Sequence, residues 1–260
     1  MPYTTLKLDS TAGIATLTLD RPEKRNAISP AMIHDLLAAF DEIEAGPARV
    51  VILTGSGKAF CAGIDLEGLR ALAGQSQQQN LEDSRRMAEM FFRIYSFPKP
   101  VISAVNGAAI AGGCGIATLA DFTLAVPEAR FGYSEVRIGF IPALVSVFLH
   151  RQIREKAARD LLLSGRAIDA EEAFRIGLVT EIVPADSLQK RAREVASALL
   201  GASPTSLTNT KRLLLQHDEA GLQADLERAI RANAEIRSTA DFREGLAAFL
   251  EKREPKWTGR

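Results

Sequence analysis

Three stretches of this sequence hold residue types at spacings that could do chemistry. Residues 101–117 read Val-Ile-Ser-Ala-Val-Asn-Gly-Ala-Ala-Ile-Ala-Gly-Gly-Cys-Gly-Ile-Ala, a β-branched strand that turns at Asn106-Gly107 and continues through small residues as a helix to about Ala120. A strand turning through glycines into a helix leaves unpaired N–H groups at the helix's positive end. Gly112 and Gly113 carry no side chain to hold a ligand away from that backbone. Residues 59–66, Ala-Phe-Cys-Ala-Gly-Ile-Asp-Leu, repeat the theme after a buried strand at 50–54. Two N–H groups converging from such turns form an oxyanion hole, where losing one donor typically costs about 2.7–4 kcal/mol of transition-state stabilisation. The third component is Glu135, flanked by Phe131, Val136, Ile138 and Ile141. A carboxyl in apolar surroundings has a raised pKa, which suits it to proton transfer near neutral pH. Each component also has a plainer reading. The glycines could serve only close packing, and the residues alone favour a surface Glu135 paired with Arg137 or Arg130.

The elements that must position these groups are legible in the patterning. Residues 5–9 and 14–19 form a hairpin around Ala12-Gly13, and 20–26 form a charged loop broken by Pro22. Ser29-Pro30 opens a helix with apolar residues at Met32, Ile33, Leu36, Leu37, Phe40 and Ile43, ended by Gly46-Pro47. Gln75 to Asn80 reads as a polar loop, a candidate lid, before a helix over 81–97. Residues 122–126 form a short strand and 131–136 an extended piece that would turn Tyr133 and Glu135 to one side. Asp169 to Glu172 is a capping box. Beyond Pro184 the pattern is entirely helical. A β/α core over 1–195 carrying the site and a helical appendage over 196–260 follow from that change.

Composition removes several classes of function. Thirty-two basic residues balance thirty-two acidic ones in 260, so nucleic acid is not an expected partner. The apolar runs fall short of the roughly 20 residues of a membrane span, so no membrane association is expected. Cys61 and Cys114 make neither a metal spacing nor a disulfide framework; they read as small packing residues in a reducing cytoplasm. Gly55-Ser56-Gly57-Lys58 is not a phosphate loop, because Ile52 stands at the leading glycine and Ala59 at the Ser/Thr position.

Together, residues 21–27, 59–66, 106–114 and 131–135 resemble the crotonase superfamily, whose best-known members are enoyl-CoA hydratases and isomerases. The closing run 241–253 resembles that family's C-terminal helix, so the resemblance covers nearly the whole chain. It implies an α/β fold, a spiral of repeated ββα units followed by helices that assemble homotrimers, often paired as hexamers. It assigns the oxyanion-hole N–H groups to Ile64 and Gly112, which would hold an acyl-CoA thioester carbonyl, with Glu135 as acid and base. Coenzyme A is then part of the substrate, and no separate cofactor or metal is implied. Lys24, Arg25, Ala27 and Ala62 would lie along its adenine and phosphates, with Gly63, Asp65 and Leu66 beside them. Asp65 also reads as the cap of the helix after Ile64. Phe249 and Lys252 would reach a ligand across a subunit boundary, or belong to an ordinary amphipathic helix.

One position departs from the pattern. The best-known hydratases hold one water between two glutamates, and the first would directly follow Cys114, where this chain has Gly115. Residues 134–143 resemble hydratases that work with one glutamate, which favours a hydratase over a Δ3,Δ2-enoyl-CoA isomerase. A non-catalytic acyl-CoA binder, or an RNA binder, is the reading from a different class.

Overall fold

The computed structural model describes residues 3–65, 68, 70, 71 and 74–260. Two sheets run side by side. The larger has the order β1 (Leu6–Thr11), β2 (Ile14–Leu19), β3 (Val50–Gly55), β5 (Val101–Val105), β7 (Phe122–Ala125), β10 (Glu181–Ile182). The smaller has the order β4 (Ala59–Cys61), β6 (Ala108–Ile110), β8 (Arg130–Gly132), β9 (Ala167–Asp169). Among the described residues, only the β1–β2 and β8–β9 pairs are antiparallel. The chain lays β3 in one sheet and β4 in the other, then β5 and β6, then β7 and β8, each pair leading toward helical structure. This is the α/β spiral of ββα units that the resemblance implied.

The β-branched runs explain the stacking. Every residue of Val50–Leu53 and Val101–Val105 is buried, as parallel strands covered on both faces require. Val51 sits opposite Val101 and Ile102 opposite Phe122; in the smaller sheet Ala59 sits opposite Ala108 and Ala109 opposite Phe131. In-register stacking brings equivalent points of successive repeats to the same level. The turn after β4 therefore lies against the turn after β6. Gly113 is essential to that approach, because a Cβ there would stand 2.3 Å from the Cys61 carbonyl oxygen.

The helices hold the spiral from outside. Leu188–Leu200 packs along β3, β5 and β7, so the expected division at 195 falls inside a helix serving the sheet. Glu219–Glu235 packs on Gln77–Tyr95 and Ala143–Gln152. Ala240–Glu251 closes on the short 3-10 turn Glu135–Ile138 so tightly that a Cβ on Gly245 would meet the Ile138 carbonyl carbon at 2.4 Å.

Two local expectations change. The polar segment 75–80 is not a loop: Ser76 and Gln79 form a reciprocal capping box, and the helix begins at Gln77. Glutamine is an acceptable helix former, and the serine supplies the missing acceptor for the first turn. The extended piece 131–136 stops at Gly132, and Glu135 opens a 3-10 turn. Tyr133 and Glu135 therefore do not share a strand face. Tyr133 turns into the core, its hydroxyl 3.3 Å from Thr118 Oγ1.

Asn26 staples the charged loop to the spiral. It is fully buried at φ 54°, its Nδ2 donates to the Ser56 and Ala59 carbonyls at 2.9 Å each, and its Oδ1 accepts from Arg21 N. Asn26→Ala removes all three bonds, strands two carbonyls and worsens a left-handed backbone, so we expect a loss of about 3 kcal/mol in denaturant unfolding.

Candidate active site

A cavity of about 310 Å³ opens where the two turns meet the 3-10 turn and the helices. Ile64, Gly112 and Glu135 all line it. The Ile64 segment bridges in parallel to Ile28, whose N–H donates to the Gly63 carbonyl and whose carbonyl accepts from Asp65 N. Those bonds engage the residues on either side of Ile64, so its own amide faces the other way. Gly112 is the first residue of helix Gly112–Thr118, where no intrahelical acceptor exists. Neither amide meets an acceptor among the described residues. Two N–H donors from adjacent repeats thus stand unpaired at one cavity.

The peptide before Gly112 is held in an unusual state. Ala111 has φ 51° and ψ −128°, a region that L-residues avoid, and its N–H donates to the Gly132 carbonyl at 2.7 Å. Strain of this kind costs on the order of 1–3 kcal/mol and persists only where the surroundings enforce it. Here it sets the direction of the Gly112 amide. The sequence carried no signal of it, because alanine does not advertise a positive φ.

Glu135 is 8% exposed, and its Oε2 is buried with no hydrogen-bond partner. Neither Arg130 nor Arg137 pairs with it; Arg130 goes to Asp169 instead. The surface-glutamate alternative is therefore not what the fold adopts. Burial among Phe91, Ile138, Phe140 and Leu144, only partly offset by a bond to its own backbone N–H, lifts its pKa from 4.5 to about 7.

The residues expected along coenzyme A divide. Lys24, Arg25, Ala27, Ala62 and Asp65 reach the cavity wall. Gly63 does not, and instead supplies the left-handed backbone (φ 85°) that turns the chain before Ile64. Leu66 lies outside the described residues. Asp65 accepts from Gly68 N at 2.7 Å and pairs with Arg21 at 3.2 Å, the capping role that its position suggested. Phe249 lines the cavity of its own chain; Lys252 is off that wall, a left-handed cap ending the helix. Cys61 and Cys114 are fully buried beside the donor turns, and burial pushes both thiols up to about 12, which leaves them as packing residues.

Gly115 points at an apolar wall. A Cβ there would lie 2.7 Å from Val145 Cγ1 and 3.3 Å from Phe91 Cε1, so those side chains occupy the space an acidic side chain would need. Asn233, from helix Glu219–Glu235, is a polar wall residue that sequence reasoning missed. One asparagine in a long helical pattern carries no signal of its own.

Comparison with known proteins gives a consistent result. The profile of the enoyl-CoA hydratase/isomerase family matches residues 9–260. A Thermus thermophilus protein carrying an enoyl-CoA hydratase name is 46% identical over 245 residues, 94% of this chain and 97% of that protein. The 2,3-dehydroadipyl-CoA hydratase of Escherichia coli is 35% identical over 252 residues, 95% and 96% of the two chains. A crystal structure of an enoyl-CoA hydratase/isomerase from Xanthobacter autotrophicus superposes with a TM-score of 0.89 at 30% identity, covering 97% of this chain and 98% of that one.

The buried carboxyl has a signature in stability. The native state binds its proton up to about pH 7 and the unfolded chain only to about 4.5, so stability falls as pH rises between those values. Glu135→Gln removes that penalty. In denaturant unfolding it should be about 2–3 kcal/mol more stable than the parent at pH 8, with the gap closing toward pH 4.5.

Proposed function

This chain belongs to the enoyl-CoA hydratase/isomerase family, and on that footing we propose that its cavity adds water across the 2,3 double bond of an acyl-CoA thioester. The observation that carries the reading is the conjunction of two unpaired amides with one unpaired buried carboxyl at a single cavity. The Ile64 and Gly112 N–H groups donate to the thioester oxygen, and their bonds strengthen as that oxygen becomes an enolate. Glu135, as carboxylate, takes a proton from water while the hydroxide oxygen bonds to C3. The π electrons move toward C2 and the thioester oxygen, giving the enolate. The carboxylic acid so formed then returns its proton to C2, which restores the carbonyl and the carboxylate. One water is consumed and Glu135 is regenerated. A group with a pKa near 7 performs both halves without a large penalty to either.

Coenzyme A enters as part of the substrate, and every proton moves on groups of the chain or water. Its phosphates and adenine lie along Lys24, Arg25, Ala27 and Ala62, at the wall built by the stapled loop. The chain works as a homotrimer, or as paired trimers, through the helical region beyond 195. Helix Pro204–Gln216 packs on its own chain through Lys211 and Leu215 and leaves Leu213 and Leu214 exposed, which supports that reading. A cytoplasmic setting fits the two free cysteines.

A second reading has one observation in its favour. With Val145 and Phe91 filling the space beside Gly115, no acid stands at that position to help hold a water, and a single carboxyl moving a proton from C2 to C4 makes an isomerase.

The enoyl-thioester absorbance separates these readings. Crotonyl-CoA loses absorbance if the chain hydrates; a 3-enoyl-CoA gains it if the chain isomerises; no change with either supports a binder. We expect loss with crotonyl-CoA, and Glu135→Gln to lower turnover 10²–10⁴-fold while thioester binding persists. In the parent, activity should rise through pH 7 as Glu135 ionises; a flat profile, or full activity in the variant, removes Glu135 from the chemistry. Sedimentation should give three or six times the 28.1 kDa chain mass, and a monomer would refute the assembly.

A further inference from the structure

Asn233 is the residue that helix Glu219–Glu235 brings to the cavity wall, and it is 5% exposed. Its Oδ1 accepts from Ser84 Oγ at 2.8 Å and from an Arg237 guanidinium nitrogen at 2.9 Å. A guanidinium only donates, so the atom facing it must be the amide oxygen. The amide nitrogen is thereby turned the other way, and it meets no acceptor among the described residues. An oriented N–H₂ donor on a nearly buried wall residue stands without a partner among the described residues.

The apparatus behind it is substantial. Arg237 is itself buried, paired with Asp83 at 2.8 Å, donating to Asn80 Oδ1 at 3.3 Å, with its guanidinium 5.6 Å from the Phe140 ring centroid. Burying a cation is costly, and a leucine at 233 would wall an alkyl chain without it. The guanidinium bond to Oδ1 polarises the amide and strengthens its N–H donors. Ser84 lies on helix Gln77–Tyr95, on the buried face that also carries Met87 and Phe91. Phe91 Cζ lies against Gly112, 3.5 Å from where a Cβ would be. Ser84 and Phe91 are seven positions apart on that face, about 10 Å along the helix axis, so Asn233, bonded at Ser84, and the Gly112 turn, against Phe91, meet this helix at different levels.

We propose that Asn233 is a specificity-determining residue, which selects acyl groups bearing an oxygen acceptor several bonds beyond C3. The assignment rests on the hydratase reading of the cavity. A methyl-terminated chain would bury the amide unpaired, which a carboxylate, carbonyl or hydroxyl at that depth avoids.

The test uses six- and eight-carbon 2-enoyl-CoA thioesters ending in methyl, hydroxymethyl or carboxylate, with the full-length protein. The parent should favour an oxygen-terminated chain by tenfold or more in kcat/KM at one of the two lengths, and Asn233→Leu should bring the ratio to near one. Which oxygen-terminated chain gains most identifies the acceptor as neutral or anionic. Methyl-terminated chains doing as well in the parent, or a preference that survives in Asn233→Leu, overturns the assignment. If Asn233→Leu does not fold, the parent's ratio decides alone. If no thioester turns over, the hydratase reading falls, and the Kd values of the saturated counterparts by calorimetry still judge Asn233: tenfold tighter binding of an oxygen-terminated chain supports it, and equal binding refutes it.

Discussion

Two backbone amides that find no acceptor among the described residues are the constraint on which the site depends. Buried N–H groups are nearly always paired, so a fold that leaves two of them open at one cavity must enforce it. Parallel pairing supplies the enforcement. Ile28 engages the residues flanking Ile64 and leaves that amide facing outward, while the helix starting at Gly112 has no earlier carbonyl to offer. Ala111, strained at φ 51°, fixes the second donor's direction, and the close contact of Gly113 with Cys61 brings the two turns together.

The third group gains its chemistry from the same apolar enclosure. Phe91, Ile138, Phe140 and Leu144 line the same cavity as Glu135, and its burial disfavours the charged carboxylate and raises its proton affinity. Low dielectric also strengthens the amide bonds to any developing oxyanion. The enclosure is assembled from distant parts of the chain. Helix Ala240–Glu251 holds the turn carrying Glu135 from behind, with the Phe242 ring 5.4 Å from Phe140. The C-terminal helices are therefore part of the site's support, whatever else their outer faces do.

The residue at 115 shows how the cavity trades functions. Where a second acid would stand, Val145 and Phe91 meet the bare backbone, while helix Glu219–Glu235 brings the Asn233 amide to the same cavity. In the proposed reaction acid–base chemistry falls to the single carboxyl of Glu135, and in the proposed selectivity the hydrogen-bonding group is the Asn233 amide.

Much of this was legible in the residues themselves. The β-branched runs at 50–54 and 101–105 specified buried parallel strands, because such strands need apolar groups on both faces. The small residues at 62–63 and 111–113 marked where backbone would be bare, and the apolar neighbours of Glu135 indicated a raised pKa. What tertiary structure alone decided was every matter of orientation. Burial of Glu135 away from Arg130 and Arg137, the 3-10 turn that parted it from Tyr133, the strained peptide at Ala111 and the locked amide of Asn233 each depend on partners far off in the chain. Periodicity reports which face of an element is apolar, but not which partner meets a single polar atom; that is set only when separate elements pack.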